Sequence, residues 1–151
     1  MFFNNFTEFL LEKKIKQSAG ILLYCKENKK FLLDFRSFSV GNPNTYSVFG
    51  GGIEDNENPY QAAIRELVEE SGYDKKIEII PLSTFHGRNK IYYNFLGIIK
   101  KSFIPKVSFE SAGYKWFSLE DLYDSNLNDK FHHGLNFILD KDKEKLEKYI
   151  N

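Results

Sequence analysis

The segment Gly51 to Tyr73, GGIEDNENPYQAAIRELVEESGY, constrains the fold more than any other part of the chain. Asn58 suits a helix N-cap, Pro59 suits the first helical position, and Gln61 can close a capping box. Gly72 supplies the C-terminal stop. On a helix so bounded, Glu66, Glu69 and Glu70 fall within about a quarter-turn arc. Tyr60, Ala63, Ile64, Leu67 and Val68 fall on the opposite side. The expectation is a helix laid apolar side down on a sheet, presenting three carboxylates.

Helix stability does not call for that acidic face. Glu66 and Glu70 stand at i, i+4, where like charges cost a few tenths of a kcal/mol. A divalent cation turns the repulsion into coordination, and Mg²⁺ favours carboxylate oxygens while keeping waters for substrate phosphate. Gly50, Gly51 and Gly52 precede the helix in what reads as a loop, where backbone can approach a ligand closely. Arg65 lies beside Glu66 in sequence and beside Glu69 on the wheel, and its planar fork of donors can hold a carboxylate.

The spacing resembles the Nudix box at each of its fixed positions. They are filled by Gly51, Glu57, Arg65, Glu66, Leu67, Glu69, Glu70, Gly72 and Tyr73, the last aromatic where an aliphatic residue is usual. Weaker resemblance extends from Gly20 to Leu122. Phe31 to Arg36 looks like the strand that ends in a basic residue before the substrate site. Tyr46 to Gly51 looks like Trp-x-x-Pro-Gly-Gly with Phe49 in place of proline, and Glu110 looks like the family's later glutamate. Because the glycines provide backbone access, the Phe49 exchange is expected to leave the loop intact, and Phe49→Pro is expected to be tolerated.

The resemblance implies a Nudix-type α/β/α sandwich with a mixed sheet, and hydrolysis of a nucleoside diphosphate linked to another moiety. Dinucleoside polyphosphates, ADP-ribose, nucleotide sugars and nucleoside triphosphates are the substrates it suggests. It implies Mg²⁺, with Mn²⁺ as a substitute, on Glu66, Glu69, Glu70 and the Gly50 carbonyl, with Glu57 as an outer ligand or as a partner that supports the ligands. Arg65 would orient a glutamate, and the general base would come from the glutamates of the box or from Glu110. Arg36, Gly51, Gly52, Tyr93 and His133 are the expected substrate contacts. Two other readings are an RNA 5′-end decapping enzyme and an idle Nudix domain that senses nucleotides. The complete set of glutamates argues against the second.

Charge bears on the first alternative. Lys plus Arg and Asp plus Glu number 21 each, so the net charge is zero, without the basic excess usual in proteins that grip long nucleic acid. A small nucleotide is therefore the expected partner, with neither a membrane nor long nucleic acid, and a homodimer is compatible with these features. The one cysteine, Cys25, excludes an intrachain disulfide and fits a reducing, cytoplasmic setting. No apolar stretch reaches membrane-spanning length.

The remaining pattern reads as one domain, 1–151. A short leading helix is expected over Phe3 to Lys14, and strands over Gly20–Cys25, Lys30–Phe35, Thr45–Phe49, Ile77–Phe85, Ile91–Ile99 and Tyr114–Phe117. Ser118 with Asp121 suggests a second capping box. Helical pattern runs from about Lys130 to Ile150, with a break near Asp140. On the Ile91–Ile99 strand one face is read as core, with Tyr93 on the other.

Overall fold

A computed structural model of the protein describes residues 15–37, 43–106 and 111–151. The expected leading helix over Phe3 to Lys14 lies outside them. The sheet is organised about two ten-residue strands, β1 (Lys16–Cys25) and β7 (Lys90–Ile99), paired in parallel along their whole length. Every other named pairing is antiparallel, so the sheet is mixed. The outer edge of β1 is shared. Its second half pairs with β2 (Lys30–Arg36), and its first half pairs with β4 (Phe49–Gly52). Between them β3 (Tyr46–Ser47) pairs with β2. On the far side β5 (Glu78–Pro81) and β6 (Phe85–His86) pair with β7, while at the opposite end of the sheet β8 (Ser111–Phe117) pairs with β2.

Side chains alternate across a strand, so a sheet covered on both faces carries two cores. Ala19, Ile21, Leu23 and Cys25 of β1 face helix α1 (Pro59–Ser71), together with Leu32, Phe49 and Ile99. Leu22 and Tyr24 face the opposite layer with Phe31, Leu33, Leu96 and Ile98. That layer holds α2 (Leu119–Leu122), a 3₁₀ turn (Ser125–Lys130), α3 (His133–Lys141) and α4 (Lys143–Ile150). The result is an α/β/α sandwich.

The caps of α1 form as expected. Asn58 Oδ1 accepts from the Gln61 amide at 2.8 Å, Gln61 Oε1 accepts from the Asn58 amide at 3.0 Å, and Gly72 closes the helix at φ 78°. The buried stripe differs. Ala62, Ala63, Leu67 and Ser71 are buried, whereas Tyr60 and Val68 are exposed. The two alanines let the helix lie close to the sheet, which turns the flanking Tyr60 and Val68 outward.

Three element boundaries also differ from expectation. The glycines are not a loop: Gly50, Gly51 and Gly52 are the body of β4, facing Gly20, Ala19 and Ser18 of β1. Phe49 opens that strand with 1% exposure, inside the core under α1. It is therefore a core anchor, and burial of its ring argues against the expected tolerance of proline there. The strand expected over Ile77–Phe85 is split after Pro81, because Ser83 leaves the ladder for Asp142. Its amide and hydroxyl donate to that carboxylate at 3.0 and 2.8 Å, while Asn94 Nδ2 holds the Ser83 carbonyl at 2.9 Å. The same buried Asp142 sets the break between α3 and α4, two residues beyond the expected place.

Candidate active site

The acidic face of α1 is organised by one guanidinium. Arg65 donates through Nε to Glu57 Oε2 at 2.7 Å and through Nη2 to Glu57 Oε1 at 2.9 Å, a two-point grip. Nη2 also reaches the Gly52 carbonyl at 2.9 Å, and Nη1 reaches Glu66 Oε1 at 3.0 Å and Glu69 Oε2 at 3.2 Å. The bond to Glu57 is the largest influence keeping Arg65 protonated, and the same bond holds the Glu57 carboxyl below the usual carboxylate range. Arg65 thus ties the loop before the helix, the helix and the end of β4 into one unit.

The three helical glutamates are not equivalent. Glu69 is paired with Arg65 and its side chain is 56% exposed. The Glu66 side chain is 16% exposed, and its carboxylate lies flat against Gly51, where a Cβ would stand 2.5 Å from Oε1. Glu70 Oε1 accepts from the Gly50 amide at 2.7 Å. A side chain at Gly51 would displace the Glu66 carboxylate, and one at Gly50 would strike the Ala19 carbonyl and the Gly20 backbone of β1, so both places call for glycine. On the other face of β4, a Cβ at Gly50 would collide with the Tyr92 hydroxyl, and one at Gly20 would approach it to 2.5 Å. The three glycines therefore open a window in the sheet, with the carboxylates of α1 on one side and Tyr92 on the other. Burial, and then the charges of Glu70 and Glu66, push the Tyr92 phenol well above its ordinary value, so it stays protonated.

The window opens on a cleft of about 350 Å³, a size usual for small-molecule sites. Its floor is one face of the leading halves of β1 and β7, with Lys16, Ser18, Lys90, Tyr92 and Asn94. Gly50, Gly51, Gly52 and Glu70 form one wall, and Arg36, His132, His133 and Phe137 stand on the others. His132 caps α3, its Nδ1 accepting from the Gly134 amide at 3.0 Å, and it stacks on His133 with ring centroids 4.0 Å apart. A nitrogen that accepts carries no proton, so this cap requires neutral His132. Burial first, then His133, Arg36 and Lys90, push His132 down to about 4. His133 is lowered as well, by burial and then by Lys90 and Arg36.

The structure thus gathers Glu57, Arg65, Glu66, Glu69, Glu70, Gly50, Gly51 and Gly52 at one end of the cleft and sets Arg36 and His133 across it. One expected contact stands elsewhere. Tyr93 is on the α1 face of β7, where its hydroxyl lies 3.4 Å from Gln17 Oε1; it is Tyr92 that faces the cleft. The expected split into a core face and an open face was mistaken because α1 covers the Tyr93 side too. Glu57 commits both oxygens to Arg65, which is the supporting one of its two expected roles. Glu110 lies outside the described residues. Sequence reasoning passed over Lys16, Lys90 and Tyr92 as contacts, and read His132 as structural, which its capping of α3 matches although it also lines the cleft. Alternation on β7 was the available signal: Lys90, Tyr92 and Asn94 share a face at spacing two.

The donor set suits Mg²⁺. Among the described residues, no three His, Cys, Asp or Glu side chains are grouped closely enough to hold a metal by themselves. Mg²⁺ at phosphate-transferring sites is held by one or two carboxylates, with water and phosphate completing its shell. Glu66 and Glu70, one turn apart and pressed against a strand without side chains, offer that kind of partial site.

The family model for the NUDIX domain matches residues 14–137. An 8-oxo-dGTP diphosphatase of Proteus vulgaris is 35% identical over 63 residues, which span 42% of this chain and 54% of that relative, about half its length. Among solved structures, a C. elegans Ap4A hydrolase binary complex aligns with a TM-score of 0.66 at 25% identity, over 87% of this chain and 98% of that one. A MutT protein from Methanosarcina mazei aligns with a TM-score of 0.67 at 24% identity, over 86% and 94%, and speaks for the fold alone. The family match covers most of the chain and includes α1 and the glycine strand, so this protein belongs to the Nudix family.

Proposed function

We propose that this protein is a Mg²⁺-dependent hydrolase of the phosphoanhydride bond in a nucleoside diphosphate linked to another moiety. The observation that carries the reading is the glycine window, which brings Glu66 and Glu70 to the mouth of a cleft whose other walls are cationic. Glu66 and Glu70 would hold the ion, and Glu69 stands beside them on Arg65. When bound, Mg²⁺ neutralises phosphate charge and makes a bound water more acidic. The chain supplies the rest. Arg65 locks the carboxylates in place before substrate arrives, so little reorganisation is needed. The Tyr92 hydroxyl, kept protonated, is a neutral donor beside the carboxylates. Arg36 and His133 orient the substrate from the opposite wall. The general base is drawn from the glutamates of the box and Glu110. The names of the matched relatives, 8-oxo-dGTP diphosphatase and Ap4A hydrolase, fall within this reaction class. A cytoplasmic setting fits the single buried cysteine, and among the described residues no helix is long and apolar enough to cross a membrane.

The test is a nucleotide panel with Mg²⁺, read as phosphate released after coupling to a phosphatase. Turnover should vanish in excess chelator and return with Mg²⁺ or Mn²⁺. Undiminished turnover in chelator would refute the reading.

A further inference from the structure

The chain as a whole is electroneutral, but its cleft is not. Lys16, Arg36 and Lys90 line it, and Glu70 is the only acidic residue among its described lining. Lys16 and Lys90 are direct neighbours in the β1–β7 register, where two like charges side by side are destabilising. Arg36 enters from the end of β2, a different edge of the sheet. Lys90 and Arg36 both act on the two stacked imidazoles, so the basic groups belong to one electrostatic neighbourhood. The Lys16–Lys90 like-charge pair is not accounted for by fold stability, and Arg36 adds a third cation to the same cavity from another strand. A ligand with several negative charges accounts for all three.

The placement of these cations says where the ligand's charge must lie. Two phosphates flanking a scissile bond at the glycine window would meet Glu66, Glu70 and their metal. Lys16 and Lys90 stand at the strand starts, four residues before Gly20 and Asn94, which is roughly 13 Å along a strand. A sugar attached to a diphosphate brings no charge to that end. A longer phosphate chain does, at about one charge for each added phosphate.

We propose that the cleft is built for a chain of three or more phosphates, as in a nucleoside triphosphate or a dinucleoside polyphosphate, with the phosphates beyond the cleaved bond held by Lys16, Lys90 and Arg36 and with His133 as a further contact. His133 is the imidazole able to answer such a chain. His132 must stay neutral to cap α3; His133 is the more open of the two, and although burial is the first influence against its proton, added negative charge offsets the Lys90 and Arg36 fields that come next. Lys16 on β1, Lys90 and Tyr92 on β7, Arg36 on β2, Glu70 on α1 and His132 on α3 are the charged and titratable groups that share this cleft with it.

The inference rests on the hydrolytic reading for its activity arm, but not for its binding arm. Calorimetry on the metal-free full-length chain compares inorganic tripolyphosphate with pyrophosphate. Tripolyphosphate should bind at least about tenfold more tightly, and the preference should shrink in high salt. In the K16A/K90A double variant it should fall to within about threefold, with thermal stability kept or raised because a like-charge pair is gone. The ¹H NMR titration of His133 should move to higher pH when tripolyphosphate is added. With Mg²⁺, a nucleoside triphosphate or a dinucleoside tetraphosphate should exceed ADP-ribose in kcat/KM by about tenfold, and the double variant should lose that advantage through KM. The better of the two substrates identifies the source of the chain. Equal binding of the two inorganic anions, or ADP-ribose turned over as well as both polyphosphates, would overturn the inference. A tripolyphosphate preference with no turnover of any nucleotide would refute the hydrolytic reading and leave the binding site standing.

Discussion

The two sides of the cleft are built in opposite ways. The acidic side comes from consecutive sequence: Glu57, Arg65, Glu66, Glu69 and Glu70 sit within 14 residues and are joined by one guanidinium. The basic side is assembled from Lys16, Arg36, Lys90 and His133, which belong to four separate elements. A local motif can be rigid before any ligand binds, because its partners share a helix and its caps. A wall gathered from distant segments depends on strand register. One-residue slippage of β7 would send Lys90 and Tyr92 to the α1 side and bring Tyr93 into the cleft. The acidic side is suited to chemistry, where position matters most, and the basic side to binding.

The joint between the two sides should be the most sensitive place to break. Phe49 opens the glycine strand and is buried under α1, with its residue paired to Ile21. Phe49→Pro removes a large buried ring, worth about 3–5 kcal/mol for Phe→Ala, and also constrains the backbone and deletes an amide donor. Urea denaturation should show a loss of at least about 3 kcal/mol. A variant as stable as the parent would mean that β4 does not depend on its anchor.

A smaller effect, confined to the acidic side, is expected for Arg65→Lys. The charge remains, but the two-point grip on Glu57 and the simultaneous reach to Gly52, Glu66 and Glu69 are lost. Activity should fall by about 10- to 100-fold, through weaker binding of Mg²⁺. Restoration of parent turnover by raised Mg²⁺ would support the positioning role, while an unaltered Mg²⁺ dependence would remove it.

The smallest effect concerns the basic side and pH. His132 titrates near 4 in the folded chain, below the ordinary value of about 6.5. The unfolded chain therefore binds more protons between those values, and stability falls as pH drops from about 6.5 toward 4. His132→Asn keeps a side chain that can cap α3 but does not titrate. Melting temperatures of the variant should decline less over that window than those of the parent. Parallel declines would show that burial of His132 is not linked to protonation.

The same contrast explains what could be read from sequence. Asn58, Gln61 and Gly72 fixed the bounds of α1, because capping is a rule about residues three or four positions apart. The carboxylate arc followed from the bounds. The glycine run was legible as close backbone approach, but not as a strand, since pairing with β1 depends on residues about thirty positions away. Tyr92 was passed over for Tyr93 because adjacent residues differ only in face, and the face is set by register with β1. Phe49 looked like a tolerated exchange because local pattern does not reveal that α1 lies over it. Asp142 is a similar case: a helix break was visible, but its cause, Ser83, lies 59 residues away.

On the proposed function one cleft divides its labour, with the acidic side setting turnover and the basic side setting affinity. Steady-state kinetics of Glu70→Gln and Lys90→Ala on the same nucleotide with Mg²⁺ test it most directly. Glu70→Gln should lower kcat by at least about 100-fold with thermal stability kept. Lys90→Ala should raise KM by about tenfold with kcat little changed. Full turnover in the first variant, or loss of kcat at unchanged KM in the second, would contradict it.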